Sequence, residues 1–303
     1  MGAVPRSGCS RRLLLAGLGA GLSASYRAAA AQGAPLQVRH AIDLRPGAPA
    51  VFHYELAVLR LLLERTLASH GPYELKGLEP VPQARAFRML AAGELDLAQA
   101  LSSVEHEQLA EPLPYCLHRG LLGLRQPVAL AGRARTLEAL ASLADLRRLR
   151  VAQVVGWPDI VVLQANGVPV QPLPRLELMP EALRRDRADL IALGVTEAAP
   201  IVEGWADLAL LRQWLIAYPA VYYIFVSRHR PELHSRLKAA WPLVLADGSF
   251  IALFDRMLGP AVQEARLAER RWIMLANPGL LASLAPADSP LWHPLLRGRW
   301  SAP

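Results

Sequence analysis

The sequence predicts an α/β protein built from two sheet-and-helix units, and three observations carry that reading. Short apolar runs alternate with helical-period segments from residue 36 onward, in the order β-α-β-α-β. The pattern recurs in kind, without sequence repetition, between 121 and 193. The 303 residues, 53% of them hydrophobic, suffice for about two cores at roughly 150 residues each.

In the first unit, 36–42 reads as a strand leading into the Pro/Gly loop DLRPGAPAVF. Residues 54–69 follow with Leu56, Leu59, Leu63 and Leu67 at helical spacing, and His70-Gly71-Pro72 stops the helix. A strand over 73–78, a helix over 84–92 closed by Gly93, and a strand over 95–100 complete it. In the second unit, 121–130 is apolar and extended, and a helix over 136–146 takes Thr136 as its N-cap. Strands over 150–155, 168–173 and 188–193 then alternate with helices over 158–166 and 181–187. A third stretch holds an aromatic strand, 221–227, and helices over 231–245 and 250–258 separated by Asp247-Gly248. No low-complexity linker follows Gln32, so the units are joined compactly; the tail from Pro286, with Trp292 and Trp300, is expected to wrap one of them.

The formal charge of +7 does not mark a nucleic-acid protein. Arg6, Arg11, Arg12 and Arg27 lie in the first 31 residues, and without them 29 basic residues face 26 acidic ones, a net of +3. No dense basic run with interleaved aromatics occurs elsewhere, so no nucleic-acid partner is expected. Residues 1–31 instead read as an export signal: a basic segment, an apolar stretch over 13–24 too short to span a bilayer, and small residues over 28–31. Ser10-Arg11-Arg12 leaves both an ordinary secretory signal and a twin-arginine signal open. Cleavage after Ala31 would leave a soluble, monomeric periplasmic chain. Cys9 would depart with the leader, leaving Cys116 without a disulfide partner and, beside Leu113, Tyr115 and Leu117, as buried packing.

Four segments resemble a known family. PQARAFRMLAAGELDLAQALSSVEHEQLAEPLPYCLHRGLLGLR is similar to the first-lobe segment of type II periplasmic solute-binding proteins of the amino-acid type. TLEALASLADLRRLRVAQVVGWPDIVVLQANG resembles the opening of their second lobe, RRDRADLIALGVTEA a later strand, and RHRPELHSRLKAAWPLVLADGSFIALFDRMLG their closing helices. The order and spacing of these segments over 36–260 carry the resemblance. It implies a two-lobed clamp, with lobe I over 36–124 and 225–303, lobe II over 125–224, and a hinge near 120–126 and 222–227. A small polar solute would lie between the lobes, delivered to an ABC-type transporter permease or presented to a sensor, with no cofactor, metal or catalytic residue.

Ligands of open α/β sheets gather beyond the carboxyl ends of strands. The corner VAQVVGWPDIVV is therefore the first candidate site. Gly156 would end the strand and Pro158 suits a first helical turn. Free N–H groups near Trp157, Asp159 and Ile160 would then cradle an anion or carboxylate. Trp157 either stacks on the ligand or packs under a lobe. Asp159 either complements the helix dipole, worth roughly 0.3–1 kcal/mol, or meets a cationic ligand group. Ser102 and Ser103 follow the third strand as hydroxyl donors or plain turn residues. Arg45, Arg85 and Arg119 are cations near cleft loops or solvated surface arginines. Tyr54, between His53 and Glu55, faces the cleft unless start-of-helix polarity alone explains the trio.

Two positions depart from the pattern that the resemblance implies. The arginine that holds a ligand carboxylate becomes His106, which between Glu105 and Glu107 is expected to have a raised pKa and a local partner. The acid that holds a ligand ammonium becomes Gly194, with Thr196 and Glu197 as the nearest replacements. Both departures argue against an ordinary free α-amino acid. No Gly-x-Ser-x-Gly, His-Glu-x-x-His or glycine-rich phosphate loop is present, and His106 and His118, the latter read as a surface or loop residue, are too far apart to pair on one helical face. Two alternatives stay open: a cyclohexadienyl dehydratase-like enzyme with Glu197 or Glu105 as general acid, and a ligand-blind accessory module.

Overall fold

The computed structural model describes residues 1–2, 34–44, 50–140, 142–280, 289 and 291–299. Nearly all of the expected leader, Arg45, and part of the tail including Trp300 lie outside the described residues.

Strands β1 (Leu36–His40) and β2 (Tyr73–Gly77) pair in parallel and are joined through helices α1 (Ala50–Arg65) and α2 (Leu67–His70). Helix α3 (Gln83–Ala92) leads to β3 (Leu97–Leu101) on the other side of β1, followed by α4 (Val104–Leu109) and β4 (Glu111–Leu113). The chain then enters a second unit with β5 (Leu124–Leu130), α5 (Ala131–Glu138), α6 (Leu143–Leu146) and β6 (Val151–Val154). Helix α7 (Asp159–Ala165), β7 (Val170–Leu173), α8 (Met179–Arg184) and β8 (Leu190–Gly194) come next. That unit continues with α9 (Ala198–Glu203), β9 (Leu208–Leu210) and β10 (Trp214–Ala217). β11 (Tyr222–Val226), α10 (Pro231–Ala246) and α11 (Ser249–Glu264) return to the first unit, and β12 (Arg271–Met274) ends the strands.

The first sheet has the order β2-β1-β3-β11-β4, and the second β12-β10-β5-β8-β6-β7 with β9 also on β5. β11 runs antiparallel to β3, and β5 antiparallel to β8 and β10, while β1, β2 and β3, and likewise β6, β7 and β8, run parallel. This is the two-sheet α/β architecture that the sequence predicts. Every residue of β6 and β8 is buried, as strands covered by helices on both faces require. The chain order reverses beside β1 in one sheet and β6 in the other, and in open α/β sheets it is beyond the strands' carboxyl ends at such a reversal that ligands bind.

Some local expectations change. The helix expected over 136–146 is two helices, and Thr136 lies inside α5 rather than capping it. β5 runs straight into α5, whereas Ser142 and Asp145 form a reciprocal capping box at α6. Residues 271–274 pair with β10, so β12 belongs to the second sheet, where the sequence-based division had put all of 225–303 with the first lobe. Ile273 and Leu275 are buried in the second core, which makes that exchange favourable.

A buried ion cluster ties the first sheet together. Asp96, fully buried, accepts from Arg39 N at 2.7 Å and pairs with Arg39 Nη2 at 2.6 Å and Arg230 Nη1 at 2.5 Å. Burial alone would raise its carboxyl, but the hydrogen bonds from both arginines hold it below the usual value. At the tail, Trp292 and Leu296 sit in the first core. Gly120, with φ of +82°, lets Trp292 lie so close that a Cβ there would come within 2.4 Å of the indole. His293 N donates to Arg119 O at 2.9 Å, bolting the tail to the first crossing between the units. Trp292→Ala is expected to cost about 3–5 kcal/mol of folding stability, read as a lowered urea midpoint at unchanged slope.

Candidate functional site

Strand β6 delivers the chain to Gly156, whose φ of +90° only glycine adopts without strain. A Cβ on Gly156 would lie 3.0 Å from Ala84 Cβ at the start of α3, so the two units touch across the cleft at this corner. Of the three N–H groups expected to form an anion cradle, the turn itself uses two: Trp157 N donates to Val154 O at 3.0 Å and Ile160 N to Trp157 O at 3.2 Å. Trp157 is half-buried and packs against the second unit's apolar cluster.

Asp159 is buried, and its partners settle its role. Arg125 on β5 has Nε 2.7 Å from Asp159 Oδ1 and donates from Nε to Tyr218 Oη at 2.8 Å; Tyr218 in turn donates to Asp159 Oδ1. Burial disfavours the Arg125 charge, but Asp159, Tyr218 and Glu197 outweigh it and hold the guanidinium above its ordinary value. Burial raises Tyr218 well above 10, against the pull of Arg125. A dipole role for Asp159 is thus joined by a buried pair.

Glu197 reaches the same cluster, with Oε1 3.6 Å from Arg125 Nη1 and accepting from Gly194 N at 2.8 Å. A Cβ on Gly194 would stand 2.8 Å from that oxygen and 2.4 Å from Leu122 Cδ2. The carboxylate of Glu197 therefore occupies the space that a side chain at 194 would enter. Thr196 is buried beside it, and its hydroxyl has no partner among the described residues.

The facing half comes from the first unit and was largely missed. Glu55 on α1 is buried and shares a hydrogen bond with the Tyr222 hydroxyl. His118 Nε2 lies 3.4 Å from Glu55 Oε1, and its Nδ1 has no partner among the described residues. His118 is 0% exposed, edge-on to Tyr54 and Tyr222, and not the surface residue expected. Burial, then Glu55 and Glu197, push Tyr222 well above 10, so Tyr222 feels both halves. The signal in sequence was Arg125 itself: a cation inside LLGLRQPVAL must be paired once buried.

Other expected residues do not join the cluster. Tyr54 is buried in the core and donates to Leu117 O at 2.6 Å. Ser102 donates to Glu107, and Ser103 caps α4 by accepting from His106 N at 3.2 Å. His106 stacks on Phe87 at 3.8 Å and bonds through Nδ1 to Leu101 O at 2.8 Å. Burial lowers its pKa, where flanking glutamates were expected to raise it. Glu105 is exposed, so its charge is mostly solvated. Arg85 is exposed, and Arg119 is buried near Asp255 and Phe254. Cys116 is buried and accepts from Gly120 N at 3.2 Å, the packing role expected of it. No group of three metal-ligating side chains occurs among the described residues.

No known sequence family matches the chain, and no curated protein does. Solved structures match its fold. An ancestral arginine-binding protein bound to arginine has a TM-score of 0.55 at 16% identity, over 75% of this chain and 99% of that one. The Salmonella typhimurium periplasmic binding protein with high arginine specificity has 0.56 at 14%, over 75% and 100%. A Streptococcus pneumoniae amino acid ABC transporter substrate-binding protein bound to L-arginine has 0.54 at 13%, over 76% and 94%. The chain has the two-lobed fold of periplasmic binding proteins.

Arg125→Ala is expected to cost about 3–5 kcal/mol by stranding Asp159; Arg125→Met with Asp159→Leu should recover most of that in urea melts. Acid lability is expected as well. Burial lowers the pKa of His40 and His106, and that of His293 to about 4. The stability these neutral rings contribute is complete above the unfolded value near 6.5 and is lost as pH falls toward about 4. Melting temperatures across that window should fall, and His106→Phe with His293→Phe should flatten the decline.

Proposed function

We propose that this chain is an exported solute-binding protein that closes two lobes over a small, positively charged polar solute. It would hand the solute to an ABC-type permease or present it to a sensor. Lobe I comprises 36–124 and most of 225–303, and lobe II comprises 125–224 joined by β12. Export rests on the leader pattern of residues 1–31, and the transport role on the company of the fold, whose solved examples include proteins bound to arginine, glutamine and glutamate.

One observation carries the choice of solute. The cleft cluster sets three carboxylates, Glu55, Asp159 and Glu197, against the single guanidinium of Arg125. Asp159 is paired with Arg125, while Glu197, 3.6 Å from the same guanidinium, and Glu55, in the other lobe, share the negative charge that remains. A protonated amine or a guanidinium between them neutralises both, while an anionic solute meets repulsion. With His106 turned into the core, that position offers no fork to a ligand carboxylate. The dehydratase alternative has no matching support: the solved structures that share the fold are binding proteins, and Glu105 is exposed.

A second reading, a ligand-blind module, draws on a different observation. The lobes already touch at Gly156 and Ala84, and the larger of the two cavities described, about 410 Å³, lies between α1 and α11 rather than in the cleft. Native mass spectrometry and calorimetry with amine- and guanidinium-bearing solutes separate the readings. Under the capture reading, a solute at 100 times its Kd adds about 2.7 kcal/mol. Glu197→Gln should then weaken it by about 10–100-fold, the loss of one charged hydrogen bond. No stabilisation by any cationic solute, with none co-purifying, would establish the ligand-blind reading instead.

A further inference from the structure

The backbone passes between the two units more often than a two-segment hinge requires. The first crossing runs from Leu117 and Leu121 in the first core to Leu122 in the second. The second joins β10 to β11 through residues 218–221. β12 adds a further excursion: Leu267 lies in the first core, Ile273 and Leu275 in the second, and Leu280 packs back against the first. The hinge expected near 120–126 and 222–227 thus gains another element, residues 275–280.

These segments are laced to one another. Tyr218 N donates to Gly123 O at 3.0 Å and Leu117 N to Tyr222 O at 2.9 Å, which ties the first crossing to the second. Leu275 N donates to Ala217 O at 2.8 Å and Asn277 Nδ2 to Pro219 O at 2.9 Å, which ties residues 275–280 to the second as well. The approach is close: a Cβ on Gly123 would come within 2.3 Å of Tyr218 O. Asn166, buried just past the end of α7, clamps the new segment. Its Oδ1 accepts from Ala276 N at 2.9 Å and its Nδ2 donates to Ala276 O at 2.7 Å. One side chain of the second unit therefore holds both polar backbone groups of a hinge residue.

A hinge opens by changing backbone angles in every segment that crosses it. Where the N–H and C=O groups of those segments are consumed by their neighbours, rotation breaks the bonds and strands polar groups. We propose that residues 275–280 brace the hinge and that Asn166 is the positioning residue that sets the brace. The two units then keep the arrangement in which Gly156 meets Ala84 without any solute in the cleft. The restraint is independent of the capture reading, since a ligand-blind module would carry it equally.

Spin labels at Arg88→Cys on α3 and Arg175→Cys beyond β7, exposed positions in different units, report the distance between the units by electron–electron resonance. Cys9→Ser is included, and buried Cys116 stays unlabelled. Stripped of any solute by unfolding and refolding, the chain with Asn166 intact should give one narrow distance. Asn166→Ala should broaden that distance and move it outward, while Gln164→Ala, an exposed neighbour on α7, leaves it narrow. A broad distribution with Asn166 in place, a narrow one in Asn166→Ala, or equal broadening by Gln164→Ala overturns the brace. Should Asn166→Ala fail to fold, hydrogen exchange of the chain with Asn166 intact decides. Leu275 and Ala276 amides protected like those of β10 support the brace, and exchange at the rate of exposed loops refutes it.

Discussion

The pairing of Arg125 with Asp159 and Tyr218 is the constraint on which the rest of the cleft depends. A guanidinium in the middle of an apolar strand cannot be left alone, because removing a charge from water costs several kcal/mol even after relaxation. Its partners must therefore arrive from wherever the chain can supply them. Asp159 does so because the Gly156 turn swings the first residue of α7 back over β5, and Tyr218 because β10 lies beside β5. The Trp-Pro-Asp corner is built to deliver a carboxylate to a buried arginine.

The five residues from Tyr218 to Tyr222 link this cluster to the other half of the cleft. Tyr218 serves Arg125 and Asp159 in the second unit, while Tyr222, four residues on, serves Glu55 in the first. One crossing segment thus ends in a buried hydroxyl at each side. A change of angle between the units moves both tyrosines, so the hydrogen bonds at the base of the cleft and the separation of Glu55 from Glu197 are mechanically connected.

Much of the fold was legible in the residues because it follows local rules. The apolar runs at 151–155 and 188–193 and the helical spacing of Leu56, Leu59 and Leu63 follow from burial and period alone. β9, β10 and β12 were not legible, since three- or four-residue strands carry no measurable alternation and exist through partners distant in sequence. The site divided in the same way. Asp159 stood out from its place after a strand, and Glu197 from the resemblance, as the nearest acid to Gly194. Arg125, Tyr218, Tyr222 and His118 were passed over because their importance lies in being buried together, which no spacing reveals. His106 misled for a related reason: its neighbours in sequence are acidic, but its neighbours in space are Phe87 and Phe225.

Gly194 and Glu197 divide one volume between them. A Cβ at residue 194 would come within 2.4 Å of Leu122 Cδ2 and 2.8 Å of Glu197 Oε1, so a side chain there would displace both. Three residues later the chain has turned, and Glu197 carries its carboxylate back to the same volume, anchored by the Gly194 amide. A carboxylate held by a backbone N–H and leaning toward Arg125 is fixed in direction and set apart from Asp159. Two carboxylates thus meet one guanidinium from different directions, and that arrangement follows from the arginine on β5.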